Sequence, residues 1–183
     1  VKKMGEFGFM GMMVSEQYGG AGLDTISYVL ALEEIGKVDA SACVIMSVNN
    51  SLVCWGLESF GTEEQKQKYL ADLASGKKLG AFALSEPEAG SDATNQRTTA
   101  TRDGDEYVLN GAKNFITNGA HADVVLVMAS TDRSKGARGV SAFVVEKGTP
   151  GLSVAKKEKK MSIRSSDTVS LAFEDCRIPV VNR

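Results

Sequence analysis

The sequence holds one histidine, His121, in 183 residues. A single imidazole excludes a multi-histidine metal centre, and no serine sits in the GxSxG elbow that would signal a Ser-His-Asp triad. Cysteine is also scarce. Cys43, Cys54 and Cys176 are odd in number and form no CxxC pair. Neither a disulfide framework nor a zinc site is expected, and free thiols suit a reducing compartment. Cys43 and Cys54 lie on an apolar stretch about three helical turns apart and read as buried structural thiols. There is no GxGxxG and no Walker loop, which excludes Rossmann and P-loop readings. The longest apolar runs are strand-sized pieces such as 124–129, so no segment is expected to span a bilayer. Lys2 and Lys3 run into an acidic, glycine-punctuated stretch rather than a secretory signal.

What remains is ordinary globular composition, 43% hydrophobic and 24% charged, with a formal net charge of −2. Residues 1–77 carry 6 basic and 10 acidic side chains, and residues 78–183 carry 15 and 13. Neither half has the basic field that nucleic-acid binding needs. Lys156, Lys157, Lys159 and Lys160, diluted by Glu158, read as a solvated surface segment, with an acidic ligand or partner as the alternative. Asn49-Asn50-Ser51 is formally a glycosylation sequon, set aside because its helix is expected to be buried.

The chain has two textures, and the change near residue 77 predicts two domains, 1–77 and 78–183. The first is helical. A short helix and a glycine-rich loop occupy residues 4–22. Asp24 caps a helix with apolar positions Ile26, Val29, Leu30 and Ile35. Asp39 caps a second, where Ile45, Val48, Leu52 and Trp55 repeat at 3 and 4 as a buried stripe, ending near Gly56 or Gly61. Thr62 and Gln65 form a capping box for a third, with Tyr69, Leu70 and Leu73 inward and Gly76 at its end. Three helices on short connections predict an antiparallel bundle piece. The second part alternates as strands: 80–84, 98–102, 106–110, 114–117, 124–128, 140–145, 152–154 and 169–173. Asp103-Gly104 and Asn110-Gly111 are hairpin signals. Seven or eight short strands at this spacing predict an antiparallel barrel or sandwich. The fold class is therefore α+β, multi-domain. Position 1 is Val and the chain stops straight after a strand, so both ends read as cut from a longer protein.

Two segments carry chemistry. Phe82-Ala83-Leu84-Ser85-Glu86-Pro87-Glu88-Ala89-Gly90-Ser91-Asp92-Ala93 takes an apolar strand into a bend rich in small hydroxyls. Such a bend exposes backbone N–H groups and lets a ligand approach closely at Gly90. By itself it reads first as a polar turn leaving a strand. Lys113-Asn114-Phe115-Ile116-Thr117-Asn118-Gly119 places an aromatic ring two residues from a hydroxyl, on one face of a strand. That combination suits a flat ring cofactor, although alone it reads first as core packing plus a threonine side chain.

In this order the two segments resemble the signatures of the acyl-CoA dehydrogenase family. Ala83-Leu84-Ser85-Glu86 with Ala89-Gly90-Ser91-Asp92 matches the first signature, Asn95 departing at its last position. Phe115-Ile116-Thr117 is similar to the family's Trp-Ile-Thr. Tyr18 to Asp24, Glu33-Glu34-Ile35, Asp39-Ala40-Ser41, Phe60-Gly61-Thr62, Asn110 to Lys113, Thr149-Pro150-Gly151 and Phe173 to Cys176 agree with it. Asp39 to Ser41 and Asn49 to Ser51 resemble the short-chain, butyryl-CoA branch.

The resemblance implies a noncovalent FAD and oxidation of an acyl-CoA thioester to the trans-2-enoyl-CoA. The α-proton leaves to a glutamate, and the β-hydrogen as hydride to flavin N5. It implies electron-transfer flavoprotein as acceptor, a homotetramer when full length, and a cytoplasmic or mitochondrial-matrix location. The chain corresponds to the later part of an N-terminal helical domain and most of a middle β domain, with a C-terminal helical bundle absent. Phe82, Ala83, Leu84, Ser85, Glu86, Pro87, Glu88, Ala89, Gly90 and Ser91 would line the flavin, with Leu84 and Ser85 groups near the pyrimidine edge. Phe115 would wall the ring, Ile116 lies beside it, Thr117 would bond near N5, and Ser91 would touch the acyl-CoA. No acidic residue matches the family's base, so no catalytic residue is assigned within the chain. The other readings are a non-enzymatic acyl-CoA or partner-binding module and an acyl-CoA oxidase of the same fold.

Overall fold

A computed structural model describes all residues 1–183, and the chain separates into two compact units. The first comprises Val1–Ala81 with Lys159–Ser166, the second Phe82–Glu158 with Asp167–Arg183.

The first unit is helical: α1 Lys2–Glu6, α2 Thr25–Val38, α3 Ala40–Ser47, a π-helical segment Val48–Cys54, α4 Trp55–Phe60 and α5 Glu63–Ala74. The predicted caps are all formed. The Asp24 carboxylate accepts from Ser27 N–H, and Asp39 accepts from the Ser41 and Ala42 N–H groups. Thr62 and Gln65 close a reciprocal capping box, and Gly76 follows α5 with φ +68°.

The second helix departs from expectation. It runs unbroken from Ala40 to Phe60, long and apolar enough by length and composition to cross a membrane. Short apolar runs hid this, because Asn49, Asn50 and Ser51 interrupt the hydropathy without interrupting the helix. Both asparagines are buried and bonded within the unit. Asn49 Nδ2 donates to the carbonyls of Met10 and Leu73, and its Oδ1 accepts from Gly80 N–H. Asn50 Nδ2 donates to the carbonyls of Phe9 and Met46, and its Oδ1 accepts from Met12 N–H. These bonds turn the asparagine side inward with Met46, Val53, Cys54 and Leu57. The expected buried stripe is the outer one: Ile45 and Val48 are half-buried, while Leu52 and Trp55 are 40% and 53% exposed. The buried positions 46, 50, 53 and 57 repeat at 3 and 4 just as the expected ones do, so the two stripes run side by side and periodicity alone does not choose between them. On α2, too, Ile26, Val29 and Leu30 face outward, while Ala31, Leu32 and Ile35 pack on the Met12–Tyr28–Met46 cluster.

The second unit holds nearly all of a seven-stranded sheet, whose first strand straddles the unit boundary at Ala81: β1 Gly80–Ala83, β2 Thr99–Asp103, β3 Glu106–Thr117, β4 Val124–Ser130, β5 Val140–Glu146, β6 Leu152–Lys157 and β7 Thr168–Pro179. The strand order is β1-β4-β2-β3-β7-β6, with β5 beside β4. Most pairs are antiparallel, but β2 meets β4 in parallel at Thr99 and Ser130. The sheet is mixed rather than the purely antiparallel barrel or sandwich expected. The hairpin at Gly104 forms, with Asp103 opposite Glu106. The one expected at Asn110-Gly111 does not. Those residues are a bulge inside a single twelve-residue β3, where the register against β7 shifts between Leu109 and Gly111. Gly111 has φ +147°, and a Cβ there would lie 2.5 Å from Thr98 Oγ1. The glycine is needed for close approach, not for a turn. Asn110 uses its side chain across the sheet, accepting from Asp175 N–H and donating to the Asp175 carboxylate.

Candidate functional site

The second unit brings the two chemistry-bearing segments together. Asn114 N–H, in β3, donates to the Ser85 carbonyl at 2.8 Å, just past the end of β1. Lys113 Nζ donates to the Leu84 carbonyl at 3.0 Å. The bend after Ser85 is closed on itself: Glu86 N–H donates to the Ala89 carbonyl, and Ala89 N–H to the Glu86 carbonyl.

Beneath the bend lies a buried ionic knot. Lys113 Nζ is 2.7 Å from Glu86 Oε1, and both side chains are shut from solvent. The third ammonium proton goes to Gln96 Oε1 at 3.1 Å. The Glu86 carboxylate also accepts from the Arg97 and Thr98 N–H groups. Burial pushes the Glu86 carboxyl up, but the bonds from Lys113, Thr98 and Arg97 outweigh it and hold it below its ordinary value. Burial draws Lys113 below its ordinary value, opposed by Glu86. Glu86 is thus committed to holding the loop and is unavailable as a base.

Side chains of the candidate residues divide by exposure. Ala83, Glu86, Ala89 and Ile116 are buried and could serve a ligand only through backbone or support. Phe82, Leu84, Ser85 and Thr117 are half-buried; Pro87, Glu88, Gly90 and Ser91 are exposed. Nothing lies within 4 Å of a Cβ placed on Gly90, so the bend is open there. Phe115 is 67% exposed. It reaches that position through a second bulge, between Lys113 and Ile116, with φ +59°, a rare value for an aromatic residue. Phe115 lies outside and Thr117 is half-buried, with Ile116 buried between them. Past Thr117 the chain is anchored by Asp167, whose carboxylate accepts from Ala120 N–H and whose carbonyl accepts from Asn118 N–H. An uncovered aromatic ring beside small hydroxyls and a fixed bend is a donor set that suits a flat, hydrogen-bonding ring.

Sequence reasoning included Lys113 in the second segment but gave it no role, and it did not single out Gln96. A lysine two residues before an exposed aromatic reads as surface charge, and only the bulge turns it inward. His121 is exposed, and no group of acidic, cysteine and histidine side chains is placed to hold a metal.

The sequence model of the acyl-CoA dehydrogenase N-terminal domain matches residues 1–77, and that of the middle domain matches residues 81–176. A short-chain-specific acyl-CoA dehydrogenase of Clostridium acetobutylicum is 52% identical over 182 residues, covering 100% of this chain and 48% of the relative. A chain of the electron transferring flavoprotein structure from Acidaminococcus fermentans superposes with TM-score 0.97 at 54% identity, over 99% of this chain and 48% of that one. A glutaryl-CoA dehydrogenase from Mycobacterium smegmatis, in complex with FADH2, gives TM-score 0.92 at 39% identity over 99% and 45%. The chain spans about half the length of the relatives it matches.

Proposed function

The chain belongs to the acyl-CoA dehydrogenase family, and on that premise we propose that the complete protein oxidises a short-chain acyl-CoA thioester to its trans-2-enoyl-CoA with a noncovalent FAD. The observation that carries this is the Asn114–Ser85 hydrogen bond, which ties the Ser85 bend to the strand that carries the exposed Phe115 and the half-buried Thr117. The short-chain relative supports the substrate class, and the FADH2 complex of the glutaryl-CoA dehydrogenase supports the cofactor.

Bound FAD would accept the hydride leaving the β-carbon. The chain's own residues prepare that event. Leu84 and Ser85 groups would donate to the pyrimidine edge, where negative charge builds, and being fixed beforehand they need no reorganisation. Thr117 would donate near N5, Phe115 would exclude water from one side of the ring, and Ser91 would touch the thioester ligand. We place the proton-abstracting glutamate outside these 183 residues, because no acidic residue of the chain matches the family's base by resemblance, and Glu86 is committed to Lys113. Electron-transfer flavoprotein is the proposed acceptor, supported by the Acidaminococcus match, and a homotetramer is the proposed assembly.

The test is anaerobic addition of butyryl-CoA to the polypeptide extended to the length of its relatives and loaded with FAD. The flavin band should bleach. A loaded flavin that no saturated acyl-CoA bleaches would sink the dehydrogenase reading.

A further inference from the structure

The peptide between Leu84 and Ser85 has two ends with different fates. Its carbonyl oxygen accepts from the Lys113 ammonium. Its N–H belongs to Ser85, the residue whose groups are assigned above to the flavin's pyrimidine edge. A charged donor on a carbonyl draws electron density from the whole amide and makes the N–H at the other end a stronger donor, an effect that is larger out of water. Lys113 is fully enclosed, so solvent does not screen it there.

The ammonium is also held still. It has three protons, and three acceptors take them: Leu84 O, Glu86 Oε1 and Gln96 Oε1. The next peptide, Ser85–Glu86, is fixed as well, because its carbonyl accepts from Asn114 N–H. Ser85 therefore sits between two clamped peptide planes. One feature of the knot costs stability: Gln96 Nε2 is buried without a partner. An orphaned buried donor gives up its hydrogen bond to water without replacing it. An apolar residue at 96 would leave the third ammonium proton unmatched, so Gln96 completes the set of acceptors that holds the ammonium in place.

We propose that Lys113 is a positioning residue for the flavin site, which polarises the Leu84–Ser85 peptide so that the Ser85 N–H favours the reduced, electron-rich ring. Glu86 tempers that effect by sharing the ammonium. This rests on the flavin reading given above.

The two charges then have opposite influences, which a merely structural knot would not. In the extended, FAD-loaded protein, Lys113→Met should lower the two-electron midpoint potential of the flavin. Glu86→Gln leaves the ammonium on Leu84 with a weaker competitor and should raise it. A tenfold change in the oxidised-to-reduced equilibrium is about 30 mV for a two-electron couple, and a shift of that size is expected in each direction. Redox titration reads the potential. The flavin C2=O stretch, by infrared difference spectroscopy, should rise in frequency with Lys113→Met and fall with Glu86→Gln. If Lys113→Met does not fold, Glu86→Gln decides: an unchanged or lowered potential overturns the proposal. Potentials that move the same way in both variants overturn it, leaving only a structural knot. If the wild-type flavin is bound and bleached by butyryl-CoA while neither variant shifts its potential, this proposal falls and the dehydrogenase reading stands. A wild-type protein that holds no flavin overturns both.

Discussion

Asn114 N–H and the Ser85 carbonyl, 2.8 Å apart, join two segments that are 29 residues apart in the chain. Nothing at Asn114 as a residue type dictates the bond, since only its backbone takes part. It depends on β3 continuing past the Gly111 bulge, and that continuation brings Lys113 under the same loop. The behaviour of Lys113 and Glu86 is therefore the first thing to test.

Glu86 should impose an acid limb on stability. Its folded carboxyl lies below the ordinary 4.5. Its contribution is full above that unfolded value and is lost as pH falls through the lower folded one. Glu86→Gln should flatten the acid limb of chemical denaturation measured between pH 6 and pH 2. Lys113→Met, which leaves the carboxylate buried without its cation, should cost about 3–5 kcal/mol at neutral pH. An unchanged denaturation midpoint for Lys113→Met would contradict the enclosed ion pair.

Asn49 should be among the most sensitive positions of the helical unit. Asn49→Ala removes the partner of two carbonyls and one N–H, all buried. Buried polar groups left unmatched cost about 1–3 kcal/mol, so a loss of about 3 kcal/mol or more is expected in urea unfolding. The same burial predicts no glycan on Asn49 in the folded chain, although the sequon is present; mass spectrometry after expression through a secretory route would read this.

The three thiols should react in a fixed order. Burial, reinforced by Glu58, pushes the Cys54 thiol up to about 12, and burial pushes Cys176 up to about 11. At pH 8 both are almost wholly protonated and shielded, and the thiolate is the reactive form. Cys43 is half-buried. A disulfide reagent should label Cys43 first in the native protein and all three in denaturant. Equal labelling rates in the native state would contradict the enclosure of Cys54.

Thr117→Val should slow flavin reduction more than it weakens flavin binding. The hydroxyl is proposed to bond where electron density arrives, so its contribution grows along the reaction. A charge-assisted hydrogen bond is worth about 1.5–3 kcal/mol, roughly 10- to 150-fold in rate if only the transition state gains it. Stopped-flow reduction with butyryl-CoA, beside an FAD titration, separates the two effects. An unchanged reduction rate removes Thr117 from the site.

Local signals were fully legible in the sequence. Asp24, Asp39 and the Thr62–Gln65 box cap the helices they were expected to cap, because a cap depends only on neighbours within one turn. The Gly104 hairpin and the change from helical to β texture follow from equally short-range chemistry. Motif order made the acyl-CoA dehydrogenase family readable from the sequence alone. Tertiary structure decided what depends on distant partners. Asn110-Gly111 carries a hairpin's residues but became a bulge, because Gly111 must pass close to Thr98 and Asn110 bonds Asp175 across the sheet. The apolar helix 40–60 offers several faces of similar hydropathy, so periodicity could not choose among them. The carbonyls of Met10, Leu73 and Phe9, far off in sequence, chose the asparagine side. Lys113 reads as an ordinary surface charge until β3 bulges and encloses it. Burying an ion pair requires a matched cage of acceptors, and only the folded chain assembles Leu84, Glu86 and Gln96 around one ammonium.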